Sequence, residues 1–199
     1  MKRQVVLGTH NPNKIREIRV ILNGLALEIL TMNDFPEIAE VEETGKTFAE
    51  NALLKAWAVY QQSGILTLSD DSGLEVDALN GAPGIYSARY AGEAKDYAAN
   101  NRKLLEELQD VPEHQREAQF RCVVAIVGPE VDQVVEGIVR GMIIYEPRGQ
   151  HGFGYDPLFV PDGFSQTFSE MGDELKNQIS HRSQAFRKAR KVVEKILSS

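Results

Sequence analysis

The sequence predicts an α/β protein built on a mixed β-sheet, and three observations carry that prediction. Apolar runs of strand length alternate with amphipathic stretches of helical length through the first half of the chain. Two long runs, Ala118 to Val127 and Val134 to Tyr145, then follow one another across Gly128-Pro129 as a hairpin. A last amphipathic stretch closes the chain, so strands and helices share one fold rather than segregating. At 199 residues the chain can bury a substantial core, and a single domain spanning 1–199 fits either as one compact body or as two closely joined lobes.

Val5-Val6-Leu7 reads as the first buried strand. Gly8 to Lys14 is a turn, and Ile15, Ile18, Ile21 and Leu22 continue it at helical spacing, with Asn11 placed to cap that helix and Pro12 at its first position. Leu25 to Leu30 is a second strand. Asn33 to Lys46 contains Pro36 and the acidic run Glu40-Val41-Glu42-Glu43, and reads as loop. Thr47-Phe48-Ala49-Glu50 has the spacing of a capping box, opening a helix that reaches Ser63-Gly64. Ile65 to Leu68 is a short strand running into an acidic loop, Asp70-Asp71-Ser72-Gly73, and Leu74 to Leu79 is read as a partner for it. Gly81-Ala82-Pro83-Gly84 enforces a turn, and Tyr97 to Leu108 is a helix. In the first hairpin strand Ala118, Phe120, Cys122, Val124 and Ile126 share one face, which suits cover on one side only. Gly149 to Pro157 is a glycine-rich loop, Pro161 to Asn177 reads as irregular, and the final helix begins near Ser180.

Composition narrows the function classes. Formal net charge is −7, which argues against sequence-independent binding to a nucleic-acid backbone. Seven Lys or Arg and a single acid lie between Lys176 and Ser199, so a small anion could use that end. Cys122 is the one cysteine, with no disulfide partner, and indicates a reducing compartment. The run after Met1-Lys2-Arg3-Gln4 is too short for a signal peptide and no stretch approaches a membrane span, so a soluble cytoplasmic protein is expected.

Five segments hold candidate chemistry. Gly8 and Lys14 match the spacing of a phosphate-binding P-loop, but Asn13 stands in place of its second glycine and Ile15 in place of its hydroxyl, so this is not a P-loop. Amides at the helix start, the positive end of the helix dipole and Lys14 still favour an anion there; an ordinary capped helix with a surface lysine is the other reading. Asp70-Asp71 and Glu42-Glu43 are pairs of neighbouring acids, suited to an oxygen-liganded divalent cation or else to acidic turns. Phe153-Gly154-Tyr155-Asp156 sets two aromatics on a glycine loop, where a ring can stack on a base or plug the core. Ser180-His181-Arg182 offers donors for a carbonyl or a phosphate, or a surface ion pair.

Taken in order, Thr9-x-Asn11-x-x-Lys14, Glu42-Glu43-Thr44-Gly45, Thr47-Phe48-x-Glu50-Asn51-Ala52, Asp70-Asp71-Ser72-Gly73-Leu74, Gly81 to Arg89, Gly152-Phe153-Gly154-Tyr155-Asp156-Pro157 and Ser180-His181-Arg182 resemble the inosine/xanthosine triphosphate pyrophosphatases nearly end to end. Many members of that family have glycine where this chain has His10 and Asn13. The resemblance implies Mg²⁺-dependent hydrolysis of dITP, ITP and XTP to monophosphate and pyrophosphate, which clears deaminated purines from the nucleotide pool. It further implies a homodimer, and an elongated mixed sheet with flanking helices forming two lobes around a central substrate cleft.

On that resemblance, Mg²⁺ is held by Glu42 or Glu43 and by Asp70 or Asp71, while Asp71 acts as general base on a water attacking the α-phosphorus, with Lys14 and Asp70 at the catalytic centre. The turn of Thr9, His10, Asn11, Pro12, Asn13 and Lys14, together with Ser72, Phe153, Gly154, Tyr155, Asp156, Lys176, His181 and Arg182, binds the substrate. Donors at His181 and Arg182 select the C6 keto oxygen of inosine and xanthosine over the amino group of adenine. A phosphotransferase, and a nucleotide-binding protein without turnover, are the two other classes considered.

Overall fold

Helix boundaries in this chain are set by side chains that supply missing hydrogen bonds. A computed structural model describes residues 3–92 and 95–198; Met1 and Lys2, at the head of the first strand run, lie outside the described residues. Strand β1 (Arg3–Leu7) leads into helix α1 (Pro12–Leu22), whose first amides at Asn13 and Lys14 donate to the Asn11 side chain, with Pro12 at the first position as predicted. After β2 (Leu27–Thr31), helix α2 (Phe48–Ser63) starts at Thr47 and stops at Gly64, whose φ of 66° is left-handed. Only half of the expected capping box forms there: Thr47 Oγ1 accepts from the Glu50 amide, but Glu50 reaches the amide of Lys46 instead of that of Thr47.

Strand β3 (Thr67–Val76) corrects two expectations. Asp70 and Asp71 lie inside a ten-residue strand rather than in a loop after a short one, and Leu74 to Val76 continues that strand instead of pairing with it. The physical reason lies in Lys14, Arg182 and Lys55, cations from distant segments that lie against these acids and remove the repulsion that would have pushed them into solvent. A turn follows, in which Ala82-Pro83 is cis, and then helix α3 (Tyr97–Glu107).

Strands β4 (Glu117–Gly128) and β5 (Val131–Ile143) are sheet neighbours joined by two residues, which makes them an antiparallel hairpin. Beyond Arg121 every residue of β4 is buried, so this half is covered on both faces, not one. Pro161 to Asn177, expected to be irregular, holds the end of β6 (Phe159–Pro161) and most of α4 (Phe168–Ile179). A complete capping box between Thr167 and Glu170 starts α4, and Gly172, with a φ of 74°, breaks it; that interruption hid the helix from a periodicity reading. Helix α5 (His181–Ser198) closes the chain.

The six strands run in the order β2-β1-β3-β4-β5-β6, with β1 parallel to β2 and β3 and β6 antiparallel to β5, so the sheet is mixed as predicted. The chain divides into two compact units. The first, Met1–Asp71, Cys122–Gly137 and Arg182–Ser199, packs α1 and α5 through Ile18, Leu22, Ala185, Phe186 and Val193 against Val5, Leu7, Leu68, Cys122 and Val124. A smaller cluster of Val6, Met32, Ile38 and Val59 lies beneath α2. The second unit, Ser72–Arg121 and Ile138–His181, is built on Leu74, Val76, Leu104, Phe120, Phe159 and Phe168.

Candidate active site

In the first unit the site is organised by strand alternation. Successive side chains of β3 point to opposite faces, so Leu68 and Asp70 share one face and Asp71 takes the other. Leu68 packs among the α1 and α5 residues, and Asp70 meets the cations of those same two helices: Lys14 Nζ at 2.9 Å and Arg182 Nε at 3.6 Å. Arg182 in turn donates to Glu17 of α1 at 2.6 Å, and all of Glu17, Asp70 and Arg182 are buried. Burial alone would raise the proton affinity of Asp70, but Lys14 and Arg182 outweigh it and hold the carboxyl well below the usual range. The Cys122 thiol, 3.7 Å from the same carboxylate oxygen, is pushed strongly upward by burial and by Asp70.

Asp71 faces α2. Asn51 donates to its Oδ2 at 3.1 Å and Lys55 Nζ stands 3.6 Å from its Oδ1, while the same ammonium lies 2.6 Å from Glu43. Burial is the largest influence on this carboxyl and raises its proton affinity; Lys55 opposes that, and the neighbouring Glu43 adds to it. Two adjacent acids are therefore driven in opposite directions because they address different helices. Among the described residues no group of three or more His, Cys, Asp or Glu is gathered for a metal. Glu43 and Asp71 nevertheless face one cation already, and two carboxylates with water and phosphate oxygens suit a hard divalent ion. Glu42, beside them in sequence, is exposed, and the Asp70 charge is matched by two basic groups.

The β1–α1 turn differs from the expectation of free amides aimed at an anion. Asn13 and Lys14 donate to Asn11 at 2.9 and 3.3 Å, the Asn11 amide donates to Thr9 Oγ1 at 3.2 Å, and Thr9 itself donates to Leu7. Asn11, read as a cap, thus accepts from the Asn13 and Lys14 amides of the helix start. Gly8 sits tightly under β3: a Cβ there would meet Ser69 Oγ at 3.0 Å.

In the second unit Gly152 to Pro157 forms a turn held by Asp156. Its Oδ2 accepts from the Phe153 amide at 2.8 Å and from Lys176 Nζ at 2.6 Å, and a side chain on Gly152 would overlap that oxygen. Lys176 is almost wholly buried, on α4, with its ammonium 4.7 Å from the centre of the Phe153 ring. The two aromatics divide the roles left open above. Tyr155 plugs the core, its hydroxyl donating to Ser87 O at 2.9 Å, whereas Phe153 is half-buried against Tyr97. Asn101 donates to Gly154 O at 3.0 Å. His181 lies flat on Phe120, centroids 4.7 Å apart and planes 9° from parallel.

Asn51, Lys55 and Glu17 are polar residues that sequence reasoning passed over. A signal for Lys55 was available: apart from Glu50 it is the one charged residue on an otherwise apolar or neutral α2, one turn after Asn51. Glu17 carried none, since its partner Arg182 is 165 residues away.

The family model described as the Ham1 family matches residues 5–192. The chain belongs to the Ham1 family. Its curated relatives include proteins named dITP/XTP pyrophosphatase from Desulforamulus reducens, 48% identical with 97% of this chain and 96% of the relative covered, and from Geobacter sulfurreducens, 49% identical with 92% of each covered. Among solved structures, the Staphylococcus aureus Ham1 protein aligns with a TM-score of 0.88 at 41% identity over 96% of this chain and 98% of that one. A nucleoside-triphosphatase / dITP/XTP pyrophosphatase from Mycobacterium abscessus aligns with a TM-score of 0.77 at 44% identity, covering 94% and 98% of the two chains. The Ham1 family chain thus matches these relatives over nearly its whole length.

Proposed function

We propose that this protein is a nucleoside-triphosphate pyrophosphohydrolase acting on dITP, ITP and XTP, releasing the monophosphate and pyrophosphate and so clearing deaminated purines from the nucleotide pool. The observation that carries the reading is the pair of adjacent acids on β3 with opposed environments. With no metal bound, burial and Glu43 raise the proton affinity of Asp71, the direction a catalytic base needs, while Asp70 stays ionised as the anchor of two cations. Full-length similarity to dITP/XTP pyrophosphatases supports the substrate class.

Asp71 accepts the proton of a water directed at the α-phosphorus, and the pyrophosphate oxygen leaves opposite to it. Lys14 and Lys55 supply positive charge beside the phosphate chain, each held in place by a carboxylate. Glu43 and Asp71 are the residues that would hold Mg²⁺, which screens charge on the phosphate oxygens when bound. Phe153 offers its ring face to the purine, Asp156 and Lys176 fix the loop that carries it, and His181 provides a donor for the C6 keto oxygen. Thr9 to Lys14, Ser72, Gly154, Tyr155 and Arg182 complete the substrate-binding set, Tyr155 and Arg182 through the groups that they hold. The working form is a cytoplasmic homodimer; among the described residues no helix is long and apolar enough to cross a membrane.

Purified protein with Mg²⁺ and ITP, dITP, XTP, GTP or ATP, scored separately for pyrophosphate and orthophosphate, tests the proposal. Pyrophosphate from the deaminated purines is the expected result. Orthophosphate as first product, or equal use of ATP, refutes the bond cleaved or the base selection.

A further inference from the structure

We propose that Asn51 is a positioning residue for Asp71, a role that rests on reading Asp71 as the base. Its side chain is fully buried near the start of α2 and makes two bonds of opposite kind. Oδ1 accepts from the Gly45 amide at 2.8 Å, and Nδ2 donates to Asp71 Oδ2 at 3.1 Å. An amide N–H can only donate, so Gly45 fixes which end of the Asn51 amide faces it and thereby turns the NH₂ toward the carboxylate.

The backbone is arranged for this contact. A Cβ on Gly45 would stand 2.6 Å from Asn51 Oδ1 and 2.7 Å from Glu50 Cβ, so only glycine allows the loop to come this close. The loop is tied down on both sides of that contact, by the Lys46 amide to Glu50 at 2.6 Å and by Lys55 to Glu43 at 2.6 Å. Asn51 and Lys55 are one helical turn apart and both address Asp71. Lys55 is a point charge on a flexible stem and tolerates a range of carboxylate orientations, whereas the planar amide of Asn51 specifies one. The segment Glu43-Thr44-Gly45 through Glu50-Asn51 therefore sets the direction of Asp71 as well as starting a helix.

The test uses Asn51→Asp, Asn51→Leu, Asp71→Asn and the double variant Asn51→Leu/Asp71→Asn in the full chain, assayed with ITP and Mg²⁺. Asn51→Asp keeps the volume and the acceptor for Gly45 but loses the donor to Asp71; Asn51→Leu loses both. Both are expected to lower kcat by about 10–100-fold, the usual cost of removing a partner that orients a functional side chain. KM for ITP should stay within about threefold, as expected when ground-state binding is untouched. On the Asp71→Asn background, Asn51→Leu should cost no more than about twofold, because the group that it orients is already gone.

Parental kcat in Asn51→Asp beside an impaired Asn51→Leu, or full additivity in the double variant, would reduce Asn51 to a structural prop and overturn the inference. Independently of turnover and of any variant at position 51, the Asn51 side-chain NH₂ signal in ¹H–¹⁵N spectra of metal-free protein should move on Asp71→Asn; an unmoved signal overturns it as well. Parental turnover in Asp71→Asn instead removes the base reading beneath it, while an inactive Asp71→Asn beside a fully active Asn51→Asp removes this inference alone.

Discussion

Asp70→Asn and Asp71→Asn should have opposite consequences although the residues are neighbours. At position 70 the substitution takes the carboxylate from a half-buried Lys14 at 2.9 Å and a buried Arg182 at 3.6 Å, while Arg182 keeps its pair with Glu17 of α1. Breaking a buried ion pair from one side costs about 3–5 kcal/mol. For a chain of this size, at about 2–4 °C per kcal/mol, the melting temperature should fall by about 6–20 °C. At position 71 the fold already disfavours the charge through burial and Glu43, and an asparagine oxygen can still accept from Asn51, so stability should change by no more than about 1 kcal/mol. The pH dependence has the matching sign. The depressed Asp70 contributes stability that is present above the ordinary carboxylate pKa and is lost as pH falls through its lowered folded value; Asp71, raised, costs stability at neutral pH and regains it toward acid. Urea unfolding of both variants and the parent at about pH 7 and about pH 3 in EDTA measures this. An Asp70→Asn variant within about 1 kcal/mol of the parent, less than the loss of one hydrogen bond to a charged group, would refute the reasoning. Turnover should separate the pair as well, with Asp71→Asn stable but slowed by about 10²–10⁴-fold.

Two further outcomes follow from the same geometry. Phe153→Leu should raise KM for ITP by about 5–150-fold, the range given by about 1–3 kcal/mol of base stacking, with kcat little changed; an unaltered KM removes the stacking role. Cys122, wholly buried with its thiol pushed upward by burial and by Asp70, should resist iodoacetamide at pH 8 in the folded protein and take up one equivalent in urea, read by mass. Modification of the folded chain at the rate of a free thiol would contradict that placement.

How much of this was legible in sequence depended on the range of the interaction. Asn11, Pro12, Thr47 and Gly64 act within four residues, and their positions alone placed the start of α1 and both ends of α2. The same locality explains the missed helix α4, where Gly172 interrupts the period, and the incomplete capping box, where Glu50 had a competing donor in Lys46. The state of Asp70 and Asp71 was of another kind. Sequence alone offered repulsion between neighbours, and so a loop. The partners of Asp70 come from residue 14 on one side and residue 182 on the other, and no local pattern announces such pairings.

Placing the acids in a strand is also what allows them to differ. In a flexible loop, neighbouring carboxylates sample each other's field and compete for the same cation. Within β3 the pleat sends Asp70 toward α1 and α5 and Asp71 toward α2, so each has different nearest charges. The cations that neutralise Asp70 leave Asp71 the more basic of the two, and the amide of Asn51 gives that carboxylate a direction. A base and a charge anchor one residue apart then require no special backbone, only a strand whose two faces are covered by different helices. By the same reasoning, exchanging the two environments by moving Lys14 or Lys55 would be more damaging than exchanging one acid for its amide, since each lysine fixes the proton affinity of the carboxylate it faces.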